Sequence, residues 1–271
     1  VVLPIYDRNP VRRTPVVTYA LIAINVVVFL LTPVASAGLS GGSSTEQVCQ
    51  QQAFFHRYAA IPKELISDEQ LPTTYGPAST DAAGQPGCLA VRPNYEKSPV
   101  LSVLFSMFLH GGWLHLLGNM LFLFVFGNNI EDRLGRLRYL GFYLICGYVA
   151  AYGYASYAPE STTTLVGASG AIAGVLGAYL FLYPRARVVS LLPFLFFIPV
   201  PLPAWLVLGS WFLLQYAYVQ GAGLAAGSSV AYLAHVIGFL TGVVLILPLL
   251  RHPQPPPVPR RRVRGGPQPY Q

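Results

Sequence analysis

Long apolar runs separated by short polar stretches dominate this 271-residue chain. Six runs, about 16–36, 101–126, 139–158, 166–183, 203–220 and 229–250, approach the roughly 20 residues that cross a bilayer as helix. The first follows basic residues as a signal peptide would, but its length and the spans behind it predict an uncleaved helix. Val188 to Pro203 is apolar yet interrupted by Pro193, Pro199, Pro201 and Pro203. It reads as a membrane-level loop or half-helix leading into the fifth span. The expected fold is therefore all-α, a polytopic membrane protein of six helices. A tail at 1–13 precedes the 14–251 core, and a tail at 252–271 follows it. The loop at about 39–100 reads as an elaboration rather than a folded unit.

Composition agrees with this pattern. Hydrophobic residues make up 54% of the chain and charged residues 10%, with a mean hydropathy of +0.51. A soluble domain of this size needs far more surface charge. The net charge of +7 is explained by where the cations fall. Arg8, Arg12 and Arg13, then Arg133, Arg136 and Arg138, then Arg185 and Arg187, and finally Arg251 and Arg260–Arg262 lie on one side of a six-span topology. By the positive-inside rule that side is cytoplasmic. A bacterial plasma membrane, with both termini inside, is the expected location. The Pro- and Arg-rich tail suits disorder and contact with anionic lipid, not nucleic acid. Cys49 and Cys88 share the outer loop, where a disulfide can form, and Cys146 lies in the third span.

The polar residues inside the runs narrow the chemistry. None of the ten acidic residues falls within a predicted span. This excludes an aspartyl intramembrane protease and argues against proton-coupled transport. A zinc protease of the H-E-x-x-H kind lacks its motif, and no metal or cofactor is expected. What remains is His110, His115 and Asn119 in FLHGGWLHLLGNMLF, Ser169 in LVGASGAIAG, and His235 in AYLAHVIGFLTG. Taken singly, each suits interhelical hydrogen bonding. Taken together, Ser169 and His235 sit at matched depth on helices entered from the outer face, as a nucleophile and its base require. His115 and Asn119, four apart, share a helix face, whereas His110 points elsewhere. Gly167, Gly170, Gly174 and Gly177 thin the fourth span, and Gly238 and Gly242 thin the sixth. Close approach of these two helices is expected to bring Ser169 within reach of His235.

These motifs together resemble the rhomboid family of intramembrane serine proteases. Gly167-Ala168-Ser169-Gly170 is similar to the family's G-x-S-G. His110, His115 and Asn119 are similar to its H-x4-H-x3-N, and Ala234, His235, Gly238 and Gly242 to its A-H-x2-G-x3-G. Glu131 and Arg133 resemble its E-x-R pair in the loop after the second helix, read as a structural pair. The resemblance implies Ser169 as nucleophile and His235 as base. It also implies His115, Asn119 and the Ser169 N–H as holders of the oxyanion, and single-pass or polytopic membrane proteins as substrates. A non-proteolytic relative that binds transmembrane helices is the alternative, and such a protein could dispense with the serine or the histidine. One departure matters: Ala173 stands where some members carry an aromatic that supports the histidine, so the orientation of His235 must come from elsewhere.

Overall fold

A computed structural model describes residues 2–37, 44–80, 83–192, 198–221 and 231–250. The basic tail at 252–271 and most of the expected outer loop near 219–228 lie outside the described residues. The chain is mostly helical, and the helices of the apolar runs surround one of their number. That central helix is α9 (Ser169–Leu182), in which every residue from Ala171 to Tyr179 is buried. Around it stand α8 (Arg136–Tyr157), α10 (Ala204–Val219), α11 (Tyr232–Leu249) and one long composite helix, and α1 (Val16–Leu30) packs against that composite helix and α8. The composite comprises α6 (Trp113–Phe122), a π-helical turn (Leu123–Gly127) and α7 (Asn128–Leu134). Two helices, Trp113–Leu134 and Tyr232–Leu249, are long and apolar enough to cross a membrane; α1, α9 and α10 are apolar but shorter. Large apolar side chains cover the outside of the bundle, among them Leu114, Leu117, Leu213, Val244 and Leu247.

Small residues set how closely the central helix meets its neighbours. A Cβ added to Gly238 would collide with the Gly170 carbonyl oxygen, one on Gly242 with that of Gly174, and one on Gly177 with that of Phe239. Helices α9 and α11 thus touch backbone to backbone at three points over about two turns, which only glycine permits. On the α8 side, Gly174 faces Cys146, whose Sγ lies 2.5 Å from the position of an added Cβ.

Several expectations need correction. The run at 101–126 is not one helix: α5 (Pro99–Ser106) ends before a loop at 107–112, and α6 starts at Trp113. Adjacent Gly111 and Gly112 favour non-helical backbone there. The fold is not all-α either. The described residues of the 188–203 stretch fall in β4 (Arg187–Leu192) and β5 (Ile198–Pro203), and the supposed N-terminal tail supplies β1 (Leu3–Asp7). The antiparallel order is β1-β4-β5. Pro199, Pro201 and Pro203 all fall on the edge strand β5, the place in a sheet that tolerates a missing N–H. Pro193 lies outside the described residues. Asp7, at the end of β1, is buried and accepts hydrogen bonds from Tyr179 (2.6 Å) and Asn129 (2.7 Å). Burial raises its pKa, partly offset by the bonds from Tyr179 and Asn9.

The Glu131–Arg133 expectation also changes. Glu131 lies in α7 rather than in a loop, and it is not paired with Arg133, which occupies the last turn. Helix α1 begins after Pro15 with no side-chain cap of its own. The Glu131 carboxylate supplies one from a distance, accepting from the Val17 N–H (2.9 Å), the Thr18 N–H (2.7 Å) and the Thr18 hydroxyl (2.8 Å). A negative charge at the positive end of a helix is favourable, and here it is buried. Replacing Glu131 by alanine leaves those donors unsatisfied and is expected to cost about 2–4 kcal/mol. A lowered melting temperature is the expected measurement.

The outer loop is a folded unit, contrary to expectation. Helices α3 (Thr45–Tyr58) and α4 (Pro62–Ser67) accompany a hairpin of β2 (Thr74–Thr80) and β3 (Pro86–Val91). A disulfide between Cys49 and Cys88 fastens α3 to β3. The Lys97 ammonium is buried against Glu64 at 2.6 Å and also donates to the His56 carbonyl at 2.8 Å. Desolvation pulls the Lys97 pKa down, while Glu64 opposes the shift.

Candidate active site

The outer unit reaches the centre of the molecule through Ala60, which is fully buried. Its N–H donates to the Ser106 hydroxyl (2.6 Å), and its carbonyl accepts from the Leu165 N–H (2.7 Å). The Ser106 carbonyl in turn accepts from the Gly167 N–H at 2.9 Å. The loop before α9 is thereby held on both sides. Gly167 has φ +120°, and an added Cβ would stand 2.7 Å from His115 Nε2. Conformation and space both demand glycine at this position.

This loop delivers Ser169 as the first residue of α9. The first N–H groups of a helix have no partner within it and form its positive end. A serine here therefore lies beside unpaired backbone donors. Its hydroxyl is 2.8 Å from His235 Nε2, and the other ring nitrogen, Nδ1, is 2.8 Å from Gln215 Oε1. His235 lies in the first turn of α11 and Gln215 on α10, so the line Ser169–His235–Gln215 joins three helices.

On the other side of Gly167 stand two residues of α6. His115 Nδ1 accepts a long bond from the Gly111 N–H (3.4 Å), which leaves Nε2 to carry a proton and face Gly167. Asn119 Nδ2 is 3.6 Å from the Cβ position of Gly167 and is a buried donor with no hydrogen-bond partner. The structure thus gathers Ser169, His235, His115 and Asn119 around one loop. His110 sits in the loop before α6, fully buried, with its ring edge-on to His115 at 5.1 Å between centroids. Sequence reasoning placed it on the second helix, which the break at 107–112 rules out.

Ala173 gives His235 no ring to rest against. Other aromatics replace it: Trp211 on α10 lies 6.1 Å from the imidazole between centroids, and Tyr232 6.3 Å. Gln215 was missed in the sequence, although a signal existed. It is the only carboxamide within the apolar stretch Ala204–Val219, and an uncharged polar residue at that depth calls for a partner.

The family model for the rhomboid domain matches residues 97–252. Saccharomyces cerevisiae rhomboid protein 1, mitochondrial, is 32% identical over 160 residues, which is 58% of this chain and 43% of the yeast protein. Arabidopsis thaliana rhomboid-like protein 6, mitochondrial, is 32% identical over 158 residues, covering 56% and 44%. The Bacillus subtilis protein YdcA, provisionally named a rhomboid protease, is 40% identical over 81 residues, covering 30% and 40%. In each case the match spans less than half of the relative's own length.

Proposed function

The chain belongs to the rhomboid family, a family embedded in membranes, and from that premise we propose that it is an intramembrane serine endopeptidase. The observation that carries this reading is the 2.8 Å contact between Ser169 Oγ and His235 Nε2 at the N-terminus of α9. The bundle is read as six membrane helices (α1, α6–α7, α8, α9, α10 and α11) whose outward apolar side chains face lipid. The outer unit and the N-termini of α6, α9 and α11 lie toward one aqueous face. The disulfide between Cys49 and Cys88 fits an oxidising compartment on that side. The expected bacterial location draws only on the Bacillus relative, since the other two carry mitochondrial names.

In this reading His235 Nε2 takes the Ser169 proton as Oγ attacks the scissile carbonyl of a membrane-anchored substrate. The oxyanion that forms is held by the Ser169 N–H, by His115 Nε2–H and by Asn119 Nδ2. The imidazolium then protonates the leaving amine, and water completes hydrolysis of the acyl-enzyme. The helix-binding alternative would need none of these contacts.

A fluorophosphonate probe applied to the protein in detergent is expected to modify Ser169, identified by peptide mass spectrometry. An unmodified serine in folded protein would count against the reading. Removing one oxyanion donor, by His115→Ala or Asn119→Ala, is expected to lower kcat on a single-span reporter by roughly 10²–10³-fold.

A further inference from the structure

A histidine with no carboxylate partner needs another group to keep the correct nitrogen free. We propose that Gln215 is a positioning residue for the base: its Oε1 accepts the Nδ1–H of His235 and fixes the tautomer whose Nε2 receives the Ser169 proton. This rests on the protease reading above.

A neutral imidazole carries its proton on one nitrogen, and the partner of the other nitrogen decides which. The Gln215 carboxamide could in principle meet Nδ1 through either of its ends. With the amide turned over, its NH2 would donate to Nδ1 and the ring proton would sit on Nε2. Nε2 would then donate to Ser169 and leave the serine without a base. Only the arrangement with Oε1 on Nδ1, as seen at 2.8 Å, gives a proton acceptor 2.8 Å from Ser169 Oγ. Gln215 is buried, so water does not compete for its carbonyl. The other neighbours of the ring cannot do this work: Trp211 and Tyr232 meet it through their rings. Among the described residues no carboxylate hydrogen-bonds to His235.

The arrangement has the logic of a third triad member in neutral form. A carboxylate orients the ring and also stabilises the imidazolium, and its loss through a wrong tautomer costs roughly 10⁴-fold in rate. A carboxamide supplies the orientation and only a dipole toward the imidazolium, so less is at stake.

The test uses the full chain in detergent, with 15N-labelled histidine, and follows the rate of Ser169 modification by a fluorophosphonate. In the wild type, His235 is expected as the Nδ1–H tautomer. Gln215→Leu is expected to slow modification roughly 10- to 100-fold and to scramble the tautomer, while thermal stability shows that the variant folds. Gln215→Glu, which keeps an acceptor in place, is expected to regain most of the rate. An Nε2–H tautomer in the wild type overturns the proposal without recourse to any variant. So does a Gln215→Leu rate within about twofold of wild type, or a loss that Gln215→Glu fails to repair. If wild-type Ser169 is modified and Gln215→Leu is indifferent, only the role of Gln215 falls. If folded wild type is neither modified nor active on a reporter, the protease reading falls and takes this one with it.

Discussion

Ser169→Ala is expected to reduce cleavage of a single-span reporter to background, a loss of about 10⁴–10⁶-fold, with His235→Ala close behind. The size follows from the geometry. Ser169 Oγ has one base in contact, His235 Nε2 at 2.8 Å. An alkoxide cannot form at Ser169 unless its proton has somewhere to go. Since nucleophile and base act as a unit, the double variant should be no worse than the worse single one. That non-additivity separates a working dyad from two helix-packing residues, whose losses would show in stability and would add. Undiminished cleavage by either single variant would remove the assignment.

Gly242→Leu is expected to abolish Ser169 modification and to destabilise the protein by about 3 kcal/mol or more. The obstacle at that position is the backbone of Gly174, which cannot rotate away as a side chain can. The α9 and α11 backbones must separate there. His235 stands seven residues away on the same helix, about 10 Å along the axis, so a change in crossing angle is transmitted to the dyad. Thermal melting and probe labelling of the same preparation measure both effects. Gly209→Ala on α10 is the control, because an added Cβ meets nothing within 4 Å. Both readouts are expected to stay at wild-type levels.

How much of this was legible in the sequence varied with the kind of interaction. Glycines at four-residue spacing beside a serine and a histidine expose the α9–α11 contact, since such spacing has one common physical purpose in apolar helices. The i, i+4 relation of His115 and Asn119 is equally visible, and α6 places both beside Gly167. What escaped depends on partners far away in the chain. The Glu131 cap on α1 spans 113 residues to Thr18, and no local pattern announces it. The strands at 187–203 are apolar and interrupted by proline, a composition shared by broken helices, and only pairing with β1 decides between them. The outer unit reads as a loop because its hairpin is fastened by a disulfide, and α4 to the segment after the hairpin by an ion pair, rather than by a large apolar core. Gln215 went unnoticed because its partner is on another helix, 20 residues further on.

The strand β1 has one more consequence, and it concerns the order of assembly. Its partners are all remote: Asn129 is 122 residues from Asp7, Tyr179 is 172 residues away, and β4 follows only after α9. During synthesis β1 therefore emerges long before anything exists for it to join. It cannot complete its sheet until β4 exists, and contacts of such long sequence separation are slow to close. When β1 finally joins β4, the Asp7 carboxylate meets Tyr179, near the far end of the helix that begins with Ser169. Docking of this strand thus anchors the far end of the central helix through Tyr179.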